Sequence, residues 1–206
     1  MTWMISTIVF SSLIAIGIII GLLLTRIELK QELKADITKD DMLLLEKRIQ
    51  DFYATNNIPS NPTLDDIALV FHVHRGEEGD IPVQADLSKP DINGNRVVTF
   101  KIGLSEQKKT FAFAHECGHL INGDSIEEHH TRPDTTGKDY KEQKADYTAS
   151  AIILPVKMMR RFLEENDYNK VGKYKRLRLV KKLSREHNIE DIVVIRRIKE
   201  IQLLGE

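Results

Sequence analysis

The sequence predicts an α+β domain, mainly helical with a small sheet, preceded by one transmembrane helix. Three observations predict it. His115-Glu116-Cys117-Gly118-His119 and Glu142-Gln143-Lys144-Ala145-Asp146 place polar residues four apart, the interval that puts side chains on one face of a helix. Residues 97–102, Val-Val-Thr-Phe-Lys-Ile, are rich in β-branched and aromatic residues and stand just ahead of the first of these segments. Ile5 to Leu24 carry no charge. At about 1.5 Å per residue that run covers about 30 Å, the hydrocarbon thickness of a bilayer.

The apolar run reads as a membrane span rather than a cleaved signal peptide. No basic residue precedes it, and no small-x-small site follows it. Arg26, Lys30 and Lys34 lie just after it, and Lys and Arg favour the cytoplasmic side. The expected topology is a single pass with the N-terminus outside and the following domain in the cytoplasm. Trp3 suits an interfacial anchor on the outer side.

Residues 25–37 read as a charged juxtamembrane stalk. Thr38 with Asp41 forms a capping-box pattern. Met42, Leu45, Ile49 and Phe52 then recur at helical spacing as a core-facing stripe. Asn56 to Pro62 reads as a loop, and Thr63 with Asp66 opens a short helix through Val70. Residues 71–74 read as a strand with His72 and His74 on its outer face. Residues 75–94 read as loop-rich, with Asn93-Gly94 a hairpin signal. The strand over 97–102 precedes a helix that begins with the apolar stretch Phe111 to Ala114 and stops at Gly123. Further on, Lys173 to Glu186 and about Glu190 to Leu204 read as two helices interrupted at Asn188. The first is strongly basic, with Leu177, Leu179, Val180 and Leu183 supplying its core side. The basic run reads as a solvated face, and direct nucleic-acid binding is not expected.

Composition fits one domain behind the span. Roughly 180 residues suffice for a core. Lys and Arg total 30 against 31 Asp and Glu, for a net charge of −1, so no polyelectrolyte partner is implied. The single cysteine, Cys117, excludes an intramolecular disulfide and suits a reducing compartment. Its place inside the motif makes a redox or metal-switch role conceivable, but a small core-facing residue is the simpler reading.

The two polar segments carry chemistry. His115 and His119 on one helix face are placed to aim two imidazole nitrogens at one metal ion, and Glu142 on a second helix is the natural third ligand. Zinc held by two neutral histidines and a carboxylate keeps a positive charge and an open position, which acidifies water and polarises a carbonyl. Glu116 lies about 100° further round the helix, beside the metal, where it would act as general base. Asp146, one turn beyond Glu142, would orient a ligand histidine through its free ring N–H. His129 and His130 read as solvated surface, and Tyr140 and Tyr147 are the candidates for stabilising an oxyanion.

The stretch from Phe111 through His119, followed by Glu142 to Ala149 and ending Ile152-Ile153-Leu154-Pro155, resembles the ImmA/IrrE family of bacterial metallopeptidases. Thr148-Ala149 stands where that family usually has Phe-Ala, and its members usually lack a membrane anchor. The resemblance implies a zincin-like fold and a zinc-dependent endopeptidase with one Zn2+ per chain. Relatives cleave helix-turn-helix repressors, so the implied partner is a protein substrate of that kind, in addition to the bilayer. The expected organisation is an anchor at 1–24, a stalk at 25–37 and a peptidase domain at 38–206, with its catalytic core at 99–155 and a helical C-terminal part at 156–206. The alternative is a non-catalytic, membrane-tethered regulator that binds a transcription factor through its C-terminal helices. The intact Glu116 argues against it.

Overall fold

The computed structural model describes residues 37–59, 62–124 and 140–205. The apolar run at 5–24, the stalk up to residue 36, and His129 and His130 lie outside the described residues. Among the described residues, no helix is long and apolar enough to cross a membrane. The chain separates into the units Met1–Ala35 and Asp36–Glu206, and the second is the one described below.

Helix α1 (Lys39–Thr55) opens with Thr38 and Asp41 bonded reciprocally, the Thr38 N–H donating to the Asp41 carboxylate at 2.9 Å. Thr63 and Asp66 start α2 (Leu64–Val70) in the same way. These pairs satisfy N–H groups that a helix start leaves without partners. The stripe on α1 faces the core: Met42, Leu45 and Ile49 are buried, and Phe52 stacks on Phe71 with ring centroids 5.0 Å apart.

Three strands follow: β1 (Val73–Gly79), β2 (Ala85–Leu87) and β3 (Arg96–Lys101). β3 is central, with β1 parallel on one side and β2 antiparallel on the other. The strand read at 71–74 therefore begins later and runs into the segment read as loop. His72 sits at φ 51°, so the chain is still turning there, and only His74 lies on the strand, exposed. The continuation was hidden because a register shift between Arg75 and Glu78 breaks the two-residue alternation. Gly76 fits that irregularity: a side-chain carbon there would lie 2.5 Å from Val97 Cγ1. The Asn93-Gly94 turn does join β2 to β3. Asp91 closes it by accepting the N–H groups of Asn93 and Asn95 at 2.8 Å each, with Gly94 at φ 84°.

The centre of the domain is the pair α3 (Glu106–Asn122) and α4 (Tyr140–Ile153). Small residues let the two approach: Ala114, Gly118, Ala145 and Ala149 are all buried between neighbours. At Gly118 a side-chain carbon would lie 2.8 Å from the Ala145 carbonyl oxygen, which is backbone and does not yield. Helices α5 (Val156–Glu165), α6 (Lys173–Glu186) and α7 (Asp191–Leu204) complete the fold, with Asn188 at φ 49° turning the chain between the last two. On α6, Leu179, Val180 and Leu183 are buried, but Leu177 is exposed. It falls at the rim of the buried arc, outside the packed face.

Beneath α3 and α4 lies a charged core group. Arg197 of α7 is wholly buried. Its guanidinium donates to Glu46 of α1 at 2.6 Å, to Glu200 at 3.2 Å and to the Leu154 carbonyl at 3.0 Å. Tyr147 donates to Glu46 at 2.9 Å and Ser150 to Glu200 at 3.1 Å. The group thus ties α1, α4 and α7 together.

Candidate metal centre

The site lies where the last turn of α3 meets the first turn of α4. His119 falls in the former and Glu142 in the latter. A helix C-terminus favours positive charge and a helix N-terminus favours a carboxylate, so both ends suit this arrangement.

His115 and His119 bring their Nε2 atoms to 3.0 Å of one another. Glu142 sends one oxygen to each, at 3.2 Å from His115 Nε2 and 3.4 Å from His119 Nε2. The three donor atoms lie within 4.8 Å of one another. The opposite ring nitrogens fix the tautomers. His115 Nδ1 meets Asp146 Oδ1 at 2.9 Å, and His119 Nδ1 meets Asp124 Oδ2 at 3.0 Å. A carboxylate only accepts, so each Nδ1 carries its hydrogen and each Nε2 presents a lone pair. Two lone pairs and a carboxylate directed at one point call for a cation there, and two imidazoles with one carboxylate form a zinc-type donor set.

Without a metal, a proton on His115 Nε2 can meet the Glu142 carboxylate in its place. Burial opposes charge on His115, but hydrogen bonds to Asp146 and Glu142 outweigh it and lift the imidazole pKa to about 10. A metal must displace that proton.

The residues around the donors come from identifiable local structure. Asp146 is one helical turn from Glu142, so both face α3. Its second oxygen accepts from Arg196 of α7 at 3.3 Å. Asp124 reaches His119 because Gly123, at φ 74°, ends α3 in a left-handed cap. That turn brings the Asp124 N–H back onto the His119 carbonyl at 3.0 Å and its carboxylate onto the ring of the same residue. Arg48 of α1 secures the same helix end by donating to the Asn122 carbonyl at 2.8 Å. Sequence reading took Gly123 only as a stop signal and missed Asp124. An acidic residue directly after a C-cap glycine, five positions beyond His119, was the available signal. Nothing local marked Arg196.

Glu116 is buried on α3, and its charge acts on both His115 and Cys117. Cys117 packs in the core, and burial together with Glu116 pushes its thiol up to about 12. It stays protonated at neutral pH, which argues against a ligand or redox role. The two tyrosines are engaged elsewhere. The Tyr140 hydroxyl donates to Asp41 of α1, and the buried Tyr147 hydroxyl to Glu46.

The fold and the donor set define a class: a mixed domain whose central helix pair carries a His-His-Glu group with a glutamate beside it, the layout of metallopeptidase-like proteins. The family model of the IrrE N-terminal-like domain, a peptidase family, matches residues 78–199, and the chain belongs to that family. A search of curated proteins returned no significant match. Among solved structures the chain is similar to a Mycobacterium tuberculosis transcriptional regulator, at 16% identity and a TM-score of 0.47. The likeness covers 79% of this chain and 47% of that one, so the chain spans about half the length of that protein.

Proposed function

We propose that the domain is a zinc-dependent endopeptidase acting on a regulatory protein. The observation that supports it most is the convergence of His115 Nε2, His119 Nε2 and Glu142 within 4.8 Å, with Glu116 on the same helix. His115, His119 and Glu142 would hold the ion, whose Lewis acidity polarises a peptide carbonyl and acidifies water. Asp146 and Asp124 hold both imidazoles in the tautomer that presents Nε2. The Glu116 carboxylate takes the proton of the attacking water as the water oxygen bonds to the carbonyl carbon. It then delivers that proton to the amine nitrogen as the C–N bond breaks. Family membership supports a helix-turn-helix repressor as the substrate class.

The experiment is Glu116→Gln, which keeps size and hydrogen bonding and removes the base. Zinc content should stay near that of the unmodified protein while cleavage of a helix-turn-helix repressor falls by about 10²-fold or more. Undiminished cleavage by the variant would refute the assignment.

The run Ile5–Leu24 adds a location: the membrane, with the domain on the cytoplasmic face. The flanking Arg26, Lys30 and Lys34 support it. A reporter fused after Glu206 that is active only outside the cell should stay silent; a signal would overturn this topology.

A further inference from the structure

We infer that Arg196 is a positioning residue of the metal centre, acting through Asp146. The inference rests on the metal-site reading above. Asp146 is buried and uses both oxygens: Oδ1 accepts from His115 Nδ1 at 2.9 Å and Oδ2 from Arg196 at 3.3 Å. One carboxylate thus joins a ligand histidine of α3 to the C-terminal helix. With a single partner, the carboxylate would be free to swing about its Cβ–Cγ bond. With a partner on each oxygen its plane is fixed, and with it the direction in which His115 presents Nε2.

Two observations separate this contact from an ordinary ion pair. The first is its burial: Arg196 keeps only 17% of its side chain exposed, so its guanidinium is turned inward onto Asp146 rather than out to solvent. The second is its neighbour. Arg197 already fastens α7 to the residue following α4 through the Leu154 carbonyl and to α1 through Glu46. Docking of α7 therefore does not need Arg196. Adjacent residues on a helix point about 100° apart. Arg197 holds the helix in place, and the same placement delivers Arg196 to Asp146. The charge of Arg196 also reaches Glu200, so the test must isolate the path through Asp146.

A double-mutant cycle on the full chain does so, with zinc affinity read by competition against a chromophoric chelator and fold by the melting temperature of metal-free protein. Arg196→Gln should weaken zinc binding by about tenfold, at the low end of the range for groups that support ligands. Arg196→Lys should restore part of that loss. In an Asp146→Asn background the Arg196→Gln change should add less than about twofold, because its route is already cut. An unchanged affinity in Arg196→Gln, an effect that adds in full to that of Asp146→Asn, or a metal-free Arg196→Gln chain that no longer folds would each overturn the inference. Failure of the unmodified protein to bind zinc would instead overturn the metal-site reading, and this inference with it.

Discussion

Two polar groups share helix α4, and each pairs carboxylates with nitrogen-bearing side chains. Around Arg197, donor meets acceptor at each contact: guanidinium on two carboxylates and a carbonyl, tyrosine and serine hydroxyls on the carboxylates. At His115, His119 and Glu142, three groups that can each offer a lone pair converge across 3.0 to 3.4 Å. The first group is completed by the chain itself and holds α1, α4 and α7 in place. The second is arranged so that a metal ion could complete it. The polarity of the pairing, rather than the presence of buried charge, separates a structural cluster from a binding site. The two are connected in sequence by Arg196 and Arg197, whose side-chain hydrogen bonds go to one group each.

The comparison breaks most visibly at Arg197. Arg197→Met leaves the Glu46 and Glu200 carboxylates buried without their guanidinium, and should cost about 3–5 kcal/mol. Chemical denaturation would show this as a lower midpoint, while the folded fraction should still take up zinc. Replacing Glu46, Arg197 and Glu200 together with apolar residues should recover most of the loss, since a buried ion group is often no better than good packing. A similar apolar replacement of His115, His119 and Glu142 should abolish metal uptake and also cost stability, because it removes the ring N–H partners of Asp146 and Asp124.

The sign of the pH response sharpens the contrast. His115 has a folded-state pKa of about 10 without metal, against 6.5 in an unperturbed chain. Below 6.5 its protonated form contributes stability in full. That contribution declines as pH rises, and is gone once pH passes about 10. Metal-free protein should therefore lose stability toward high pH in urea titrations, and His115→Gln should flatten that loss. Zinc binding should move the other way, tightening by up to about tenfold per pH unit while the bound proton is being displaced.

Smaller effects test how the site is placed. Gly118→Ala sets a helix-propensity gain of about 1 kcal/mol against overpacking of about 1–3 kcal/mol on the Ala145 carbonyl. Because that neighbour is backbone, the cost should win: the melting temperature should fall, and zinc affinity with it as α3 and α4 part. Thr63→Ala, at the start of α2, which carries none of the site residues, should cost about 1 kcal/mol through the lost cap. Zinc affinity should not change, and a change there would show that the α2 start is coupled to the centre.

What was legible in the sequence was local. The spacing of His115, His119, Glu142 and Asp146, the two capping boxes, the Gly123 stop and the break at Asn188 each depend on neighbours within a turn or two. What was not legible was long-range. Glu46 and Arg197 are 151 positions apart, and Asp146 and Arg196 are 50 apart, so neither pair leaves a periodic trace. Both arginines lie on the last helix, read from the sequence only as a helix from about Glu190 to Leu204 with no inward face assigned. The bulge at Arg75–Glu78 erased the alternation that would have revealed β1. Asp124 was in plain view, but its role depends on the direction in which a left-handed cap turns the chain.

The central claim is that His115, His119 and Glu142 complete themselves with a metal ion. The direct measurement is zinc stoichiometry by elemental analysis on purified, dialysed protein, beside His119→Ala with its fold checked by circular dichroism. The account predicts one zinc per chain in the unmodified protein and next to none in the variant, with both folded. Equal zinc in the two, or none in the unmodified protein after incubation with zinc, would contradict it.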